Sequence, residues 1–119
     1  MVPLLLKLAL VAFSQESKGV GIARYDGKPG EDIAEAAVVV DPAWRRVGLG
    51  IQLLSLLRDA ALMRGIRRFW ATFLGENVAV QGLLRRCGLP HTITISGGMA
   101  EVTIDLAPLP GTTPPVDAR

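Results

Sequence analysis

Six consecutive residues in the middle of the chain combine two cations with two glycines in a pattern that suits phosphate binding. They are Arg45-Arg46-Val47-Gly48-Leu49-Gly50, between an extended apolar run that ends at Val40 and an amphipathic run that begins near Leu49. A glycine turn that leaves a strand and opens a helix points several backbone N–H groups at one position, and the helix N-terminus adds about half a positive charge there. The spacing therefore predicts a cradle for a pyrophosphate group. It is neither the G-x-G-x-x-G dinucleotide fingerprint nor a Walker loop with Gly-Lys-Ser/Thr.

The composition indicates one globular domain with a mild excess of positive charge. The chain has 119 residues, and its hydrophobic content of 50% is enough for one buried core. The net charge of +2 favours an anionic ligand but is too small to indicate nucleic-acid binding. Cys87 is the single cysteine and His91 the single histidine, so neither a disulfide framework nor a metal site is expected. The later arginines are interpreted as a solvated surface: Arg64, Arg67, Arg68, Arg85 and Arg86.

The two ends of the chain call for separate interpretations. The run from Met1 to Phe13 is apolar enough to imitate the core of a signal peptide, but Lys7 interrupts it and no basic region precedes it. It is also too short to span a membrane. We therefore expect a buried strand from Leu8 to Phe13 in a cytoplasmic protein without membrane contact. The proline-rich residues 108–119 predict a disordered tail after a folded domain of residues 1–107.

The hydrophobic periodicity predicts strands first and then alternating helices and strands, which is an α/β sandwich around a mixed sheet. Gly65 and Gly88 are the expected stops of two helices, and Asn77 is the expected cap of the second. The predicted inner face of the first helix is Leu49, Leu53, Leu56, Leu57 and Ala60, and that of the second is Val80, Leu83, Leu84 and Cys87. The predicted strands run from Leu8 to Phe13, Val20 to Tyr25, Ile33 to Val40, Arg67 to Leu74 and Glu101 to Leu106, and the predicted helices from Leu49 to Arg64 and from Asn77 to Cys87.

Two motifs carry a resemblance to a known family. Arg45, Gly48 and Gly50 form R-x-x-G-x-G after a strand, which resembles the coenzyme A signature of the GNAT acetyltransferase superfamily. The segment from Asn77 to Leu89, a helix that begins with asparagine and ends near a glycine, resembles a second GNAT segment. The resemblance runs from about Ala9 to Leu106. It implies a GNAT-like acyl-CoA N-acyltransferase fold, a mixed β-sheet with flanking helices, abbreviated at its N-terminus.

The resemblance also implies a cofactor and the residues that hold it. The cofactor is acetyl-CoA (coenzyme A), with its pyrophosphate on the turn of Arg45, Arg46, Val47, Gly48, Leu49 and Gly50. The pantetheine arm is expected to lie like a short strand beside Val38 and Val40, in a gap that separates them from the strand over Phe69 to Phe73. Asn77 is expected to bond this arm, to cap its helix, or both. The alternative reason for the glycines is close packing of a strand against a helix.

Glu35 is the candidate catalytic base. It opens an otherwise apolar strand beside the expected gap, and a carboxylate shielded from water there would take a proton more readily. This strand and the glycine turn resemble those of bacterial protein lysine acetyltransferases, in which the glutamate on this strand is the base. The alternative is a strand-end charge that faces solvent or pairs with Arg24. Leu84 stands where many GNAT enzymes place a tyrosine acid, so tyrosine-assisted chemistry is not expected.

Three functional interpretations follow from the resemblance. The first is an N-acetyltransferase that moves acetyl from acetyl-CoA directly to a primary amine, with a protein lysine as the acceptor. The second is a small-molecule amine acetyltransferase, and the third is a non-catalytic acyl-CoA-binding module of a larger assembly. The family's first strand and helices have no counterpart before Leu8, so we expect a homodimer or a partner chain to cover the N-terminal edge.

Overall fold

The computed structural model describes residues 7–45 and 47–107. Within these ranges it contains the mixed sheet with two flanking helices that the sequence predicts. Arg46 and the predicted tail, residues 108–119, lie outside the described residues.

Three antiparallel strands form the first half of the sheet. They are β1 (Lys7–Phe13), β2 (Gly19–Gly27) and β3 (Ile33–Val40), and the sheet register pairs β1 with β2 and β2 with β3. A short 3-10 helix, Pro42–Trp44, follows β3. The carboxylate of Asp41 caps it by accepting the backbone N–H of Ala43 at 2.9 Å.

The second half alternates helices and strands. Helix α1 (Leu49–Met63) connects β3 to β4 (Arg68–Leu74), which runs parallel to β3. Helix α2 (Val78–Arg86) then leads to an antiparallel hairpin of β5 (His91–Ser96) and β6 (Met99–Asp105). Strand β6 pairs with β4, so the sheet order is β1-β2-β3-β4-β6-β5.

Strand β5 was not predicted from the sequence. Its residues alternate threonine with isoleucine and precede Gly97-Gly98, whose φ angles of 60° and 81° suit a tight hairpin turn. All six residues of β5 are exposed, because it is an edge strand. The sequence pattern that predicts this strand is therefore the alternation of threonine with isoleucine, followed by the glycine pair of a hairpin turn.

One hydrophobic core lies between α1, α2 and one face of the sheet. Helix α1 buries Leu53, Leu54, Leu57 and Ala61. The predicted inner position of Leu56 is wrong, since this side chain is 57% exposed. Leu84 of α2 is buried as expected, and its predicted neighbours Val80, Leu83 and Cys87 pack partly buried against the core.

The other face of the sheet carries exposed apolar side chains. Residues on one strand alternate between faces, and the register places these side chains opposite the α1 side. They include Val11 (50% exposed), Phe13 (66%), Val39 (59%) and Leu74 (57%). Glu35 lies on this face as well, and it is exposed.

Candidate functional site

A cleft of about 470 Å³ opens at the end of β3 where α1 and α2 meet. Its floor comes from the last residues of β3, and its sides come from the first turn of α1 and from α2. The lining includes six of the predicted residues: Val38, Val40, Arg45, Gly48, Gly50 and Asn77. The fold thus brings together the glycine turn, the strand before it and the asparagine helix.

The cleft exists because β3 and β4 diverge. Their parallel pairing covers only Ile33–Glu35 against Arg68–Trp70. Beyond Glu35, β3 continues to Val40 with β2 as its pairing partner on the other side. Backbone groups on the β4 side of this stretch are therefore available to an amide-bearing ligand that adds like a strand. The structure thus contains the predicted gap, which begins after Trp70.

The glycine turn has the geometry of an anion cradle. Gly48 has a φ of 84°, a left-handed conformation that favours glycine, and it forms the N-cap of α1 without a side-chain hydrogen bond. No acidic residue lies in the first turn of α1. The N–H groups of Leu49, Gly50 and Ile51 therefore have no intrahelical partner, and the positive end of the helix dipole lies at the cleft, which Gly48, Gly50 and Ile51 line.

The surroundings of the cradle leave room for a diphosphate. Among the described residues other than its two chain neighbours, no heavy atom lies within 4 Å of the position that a Cβ of Gly48 would occupy. Arg45 lines the cleft, and its Nε donates a hydrogen bond to the backbone oxygen of Val40 at 3.2 Å, which ties the turn to the end of β3. The open space, the first-turn N–H groups and the guanidinium group together fit a pyrophosphate.

Asn77 caps α2 and also lies in the lining of the cleft. Its Oδ1 accepts the backbone N–H of Val80 at 3.2 Å, which caps α2. The same residue lines the cleft. Gln81 steadies the loop before it by donating from Nε2 to the backbone oxygen of Gly75. Because the cap uses the oxygen of the Asn77 amide, its nitrogen is the atom left to donate to a ligand.

Glu35 lies at the fork where β3 and β4 part, at the last residue pair of the parallel ladder, opposite Trp70. The expected shielding from water is wrong, because this side chain is exposed. Among the described residues it forms no ion pair, so the predicted pairing with Arg24 is wrong. The other form of that alternative, a charge that faces solvent, agrees with the exposure of the side chain. Its neighbour across β2 is another carboxylate, Asp26.

The fork and the cradle are separated by a strand segment. Five residues of β3 lead from Glu35 to Val40, and an extended strand rises about 3.3 Å per residue, which gives roughly 17 Å. An extended pantetheine arm whose phosphate end lies at the cradle would therefore direct its thioester end towards Glu35. This position of Glu35 relative to the arm follows from the strand geometry alone and does not require the Glu35 side chain to be shielded from water.

Neither Leu84 nor Tyr25 brings a phenol group to the cleft lining. Leu84 is 4% exposed and belongs to the core. Tyr25 is 1% exposed and packs on Phe69, with the ring centroids 5.8 Å apart.

Gly82, Arg85 and Arg86 are among the lining residues that sequence reasoning did not assign to the cleft. The two arginines had been interpreted as a solvated surface. Their spacing from Gly82, three and four residues, places all three on one side of α2. This spacing is visible in the sequence, and it could have predicted that both arginines lie on the same side of α2 as Gly82.

The comparisons with known proteins agree with this geometry. The model of the acetyltransferase (GNAT) family matches residues 7–89, well over half of the chain. This chain belongs to the GNAT family. The match covers the glycine turn, the fork and the asparagine helix. No protein of curated function matches the sequence significantly.

Solved structures share the fold. The GNAT domain of S. lividans PAT is 25% identical with a TM-score of 0.75, and the alignment covers 84% of this chain and 61% of that domain. A cAMP-binding acyltransferase from Mycobacterium smegmatis is 21% identical with a TM-score of 0.73, covering 89% of this chain and 33% of that protein. Spermidine N-acetyltransferase from Vibrio cholerae is 14% identical with a TM-score of 0.68, covering 86% and 67%. This GNAT chain thus spans less than two thirds of the first two proteins. Neither of its described helices is long and apolar enough to cross a membrane.

Proposed function

We propose that this GNAT chain is an acetyl-CoA-dependent N-acetyltransferase whose acceptor is a protein lysine and whose base is Glu35. The observation that carries the proposal is the fork between β3 and β4, which connects the glycine cradle to Glu35 along one strand. In this proposal Val38, Val40 and Asn77 hold the pantetheine arm. The pyrophosphate lies on the turn formed by Arg45, Arg46, Val47, Gly48, Leu49 and Gly50.

The proposed chemistry needs a proton acceptor. Acetyl-CoA supplies the acetyl group as an activated thioester. A lysine amine has a pKa of about 10.4, so roughly one in a thousand or fewer is neutral at pH 7. Glu35 takes one proton of the ammonium group, and the neutral nitrogen forms a bond to the acetyl carbon. As the carbon–sulfur bond breaks, the nitrogen, which still carries one proton more than the amide product, releases that proton to solvent. The thiolate leaves without a protein acid, since a thiol of ordinary pKa, about 8.5, is a tolerable leaving group.

The exposure of Glu35 supports a large acceptor. In the described residues, Glu35 and Trp70 lie on an open sheet face rather than inside an enclosed pocket. A lysine on a protein surface reaches such a position on its long side chain, whereas a small amine is usually bound in a concave site. The likeness to the S. lividans PAT domain supports the same choice.

The non-catalytic acyl-CoA-binding module is the second candidate. It is favoured by one observation, the exposure of Glu35, because a carboxylate in contact with water accepts a proton less readily than a buried one. A chain that binds acetyl-CoA but acetylates neither proteins nor small amines would establish this candidate. A small-molecule amine acetyltransferase would instead be identified by turnover restricted to small amines such as polyamines.

We also propose that a second copy of the chain covers the exposed sheet face and the edge strand β1. The support is the row of exposed apolar side chains on that face, which includes Val11 and Phe13 of β1 itself. Self-association would bury this surface and satisfy the free edge.

The test of the proposed chemistry is Glu35→Gln. The amide keeps the shape but cannot take a proton, so we expect acetyl transfer to fall about 100- to 10,000-fold while acetyl-CoA affinity stays within about twofold. Transfer to a lysine-bearing protein is measured by mass spectrometry, and acetyl-CoA binding by calorimetry.

Asp26→Asn is the matched control, because Asp26 is the carboxylate directly opposite Glu35 on the same face. Its loss removes a neighbouring charge and an exposed ion pair with Lys7, and transfer should stay within about threefold of the unaltered rate. Equal losses in both variants would show that local negative charge, and not proton transfer by Glu35, supports the reaction.

A further inference from the structure

Two arginine side chains converge on a notch in α2 that lies in the cleft wall. Measured from the position that a Cβ of Gly82 would occupy, Nη2 of Arg85 lies at 3.8 Å and Nη2 of Arg86 at 3.9 Å. Both guanidinium groups are therefore next to one point, over a helix residue that has no side chain. All three residues line the cleft.

The charge of this notch is unbalanced. The described lining of the cleft contains Arg45, Arg85 and Arg86 and no aspartate or glutamate. None of the ion pairs among the described residues involves Arg85 or Arg86. Both side chains are exposed, so water weakens the repulsion between their like charges. An anion placed between them would relieve this repulsion and gain charge-assisted hydrogen bonds from both guanidinium groups.

Gly82 is also an unusual residue for this position. Glycine inside a helix lowers the stability of the helix relative to alanine. A side chain here would fill the space in front of the guanidinium groups, since both lie in ordinary contact distance of its Cβ position. The glycine thus keeps the notch open towards a ligand.

The notch lies beside the pyrophosphate cradle. The Cβ position of Gly50, in the first turn of α1, is 3.5 Å from Cδ1 of Leu83, the residue that follows Gly82. A ligand whose pyrophosphate lies on the cradle therefore has its next groups close to the notch. In coenzyme A the next anionic group is the phosphate on the adenosine ribose, one sugar away from the pyrophosphate.

We propose that Gly82, Arg85 and Arg86 form the binding site for the ribose phosphate of coenzyme A and select it over dephospho-coenzyme A, which keeps the pyrophosphate but lacks this group. This inference rests on the proposed function. It adds a second anion site to the cleft, on α2, with a specificity role that is separate from the cradle on α1.

The test compares the binding of free coenzyme A and dephospho-coenzyme A by calorimetry. The unaltered chain should bind coenzyme A about 10- to 100-fold more tightly than dephospho-coenzyme A, the range expected for charge-assisted hydrogen bonds to one phosphate. The double variant Arg85→Gln/Arg86→Gln should lose this preference to within about twofold and bind dephospho-coenzyme A as the unaltered chain does. Arg64→Gln is the control, because Arg64 lies at the far end of α1 and donates to the backbone oxygen of Ala60.

A second variant tests the same site in a stable helix. Gly82→Glu places a carboxylate three and four residues before the two arginines, an arrangement that stabilises helices. It should unfold at a higher temperature than the unaltered chain and bind coenzyme A no better than dephospho-coenzyme A. This result does not depend on the double arginine variant folding.

The outcomes separate the two proposals. An unaltered chain that binds both ligands equally well overturns the ribose phosphate site and leaves the proposed function intact. A double variant that weakens both ligands equally shows that the arginines hold the pyrophosphate and also overturns it. An unaltered chain that binds neither ligand overturns the proposed function together with this inference.

Discussion

Glu35 lies among neighbours that suit an approaching ammonium group. Asp26 is directly opposite it on β2, and Asp26 already attracts one cation, the Nζ of Lys7 at 3.6 Å. Asp26 is thus paired with Lys7, and Glu35, which forms no ion pair among the described residues, is the carboxylate that an entering ammonium group meets on this face. The indole of Trp70, the partner of Glu35 on β4, offers an apolar surface for the methylene groups of a lysine. The role proposed for Glu35 therefore rests on its position at the fork.

A second prediction at the residue scale concerns Tyr25. Its hydroxyl is buried and has no hydrogen-bond partner among the described residues. Tyr25→Phe removes this polar atom but keeps the ring contact with Phe69, so we expect it to raise the free energy of unfolding by about 0.5–2 kcal/mol. Denaturant titration measures the change. Tyr25→Leu, which loses the ring contact, should lower the free energy of unfolding. A loss of stability in Tyr25→Phe would mean that the hydroxyl is hydrogen-bonded in solution.

At the scale of elements, the turn between β3 and α1 determines where the cofactor lies. Asp41 continues the pairing with β2, since its N–H bonds the backbone oxygen of Val20 at 2.8 Å. Asp41 also caps the 3-10 helix, and Arg45 ties the following turn to the end of β3. These bonds tie the turn that leads into α1 to the ends of β2 and β3. The cradle at the start of α1 and the notch in α2 line the same cleft.

Gly48→Val tests the turn. Gly48 has a φ of 84°, and a β-branched residue there is strained by about 1–2 kcal/mol. A side chain would also project into the open space assigned to the phosphate. We therefore expect acetyl-CoA affinity to fall at least about tenfold, measured by calorimetry.

The matched control is Gly65→Val. Gly65 has a φ of 85°, and its Cβ position is equally free of neighbours, but it ends α1 away from the cleft. Both variants should lose similar stability, while only Gly48→Val should lose binding. Equal acetyl-CoA affinities in the two variants would contradict the cradle.

At the scale of the whole molecule, the sheet is covered on one face and carries exposed apolar side chains on the other. The mean hydropathy of +0.36 is high for a chain that remains alone in water. The edge strand β1 contributes to this face through Val11 and Phe13.

We expect the chain to sediment as a dimer at micromolar concentration. Phe13→Glu should shift it to the monomer, because a charge on the β1 side of the face opposes burial. Met63→Glu is the control: Met63 is an exposed apolar residue, 86% accessible, at the end of α1 on the other side of the sheet. A monomer in the unaltered chain, or equal effects of the two variants, would refute the proposed self-association.

Local sequence signals determined much of the fold. Gly48, Gly65 and Gly88 have the positive φ angles that their turn positions require, and Asn77 caps its helix, because these effects act within a few residues. The periodicity also placed both helices and most strands. The periodicity was wrong at Leu56, because apolar residues cover so much of the α1 surface that the pattern does not separate buried from exposed positions. It also missed β5, which is a short and exposed edge strand.

Only the tertiary structure decided how exposed Glu35 is and what forms the second side of the cleft. The strand around Glu35 is apolar, yet burial depends on what packs over the face, and no local pattern records that. Arg85 and Arg86 have the sequence pattern of a solvated helix end. They became cleft residues because α2 packs with Leu83 beside Gly50, a contact between residues far apart in the chain, whose geometry depends on the whole fold.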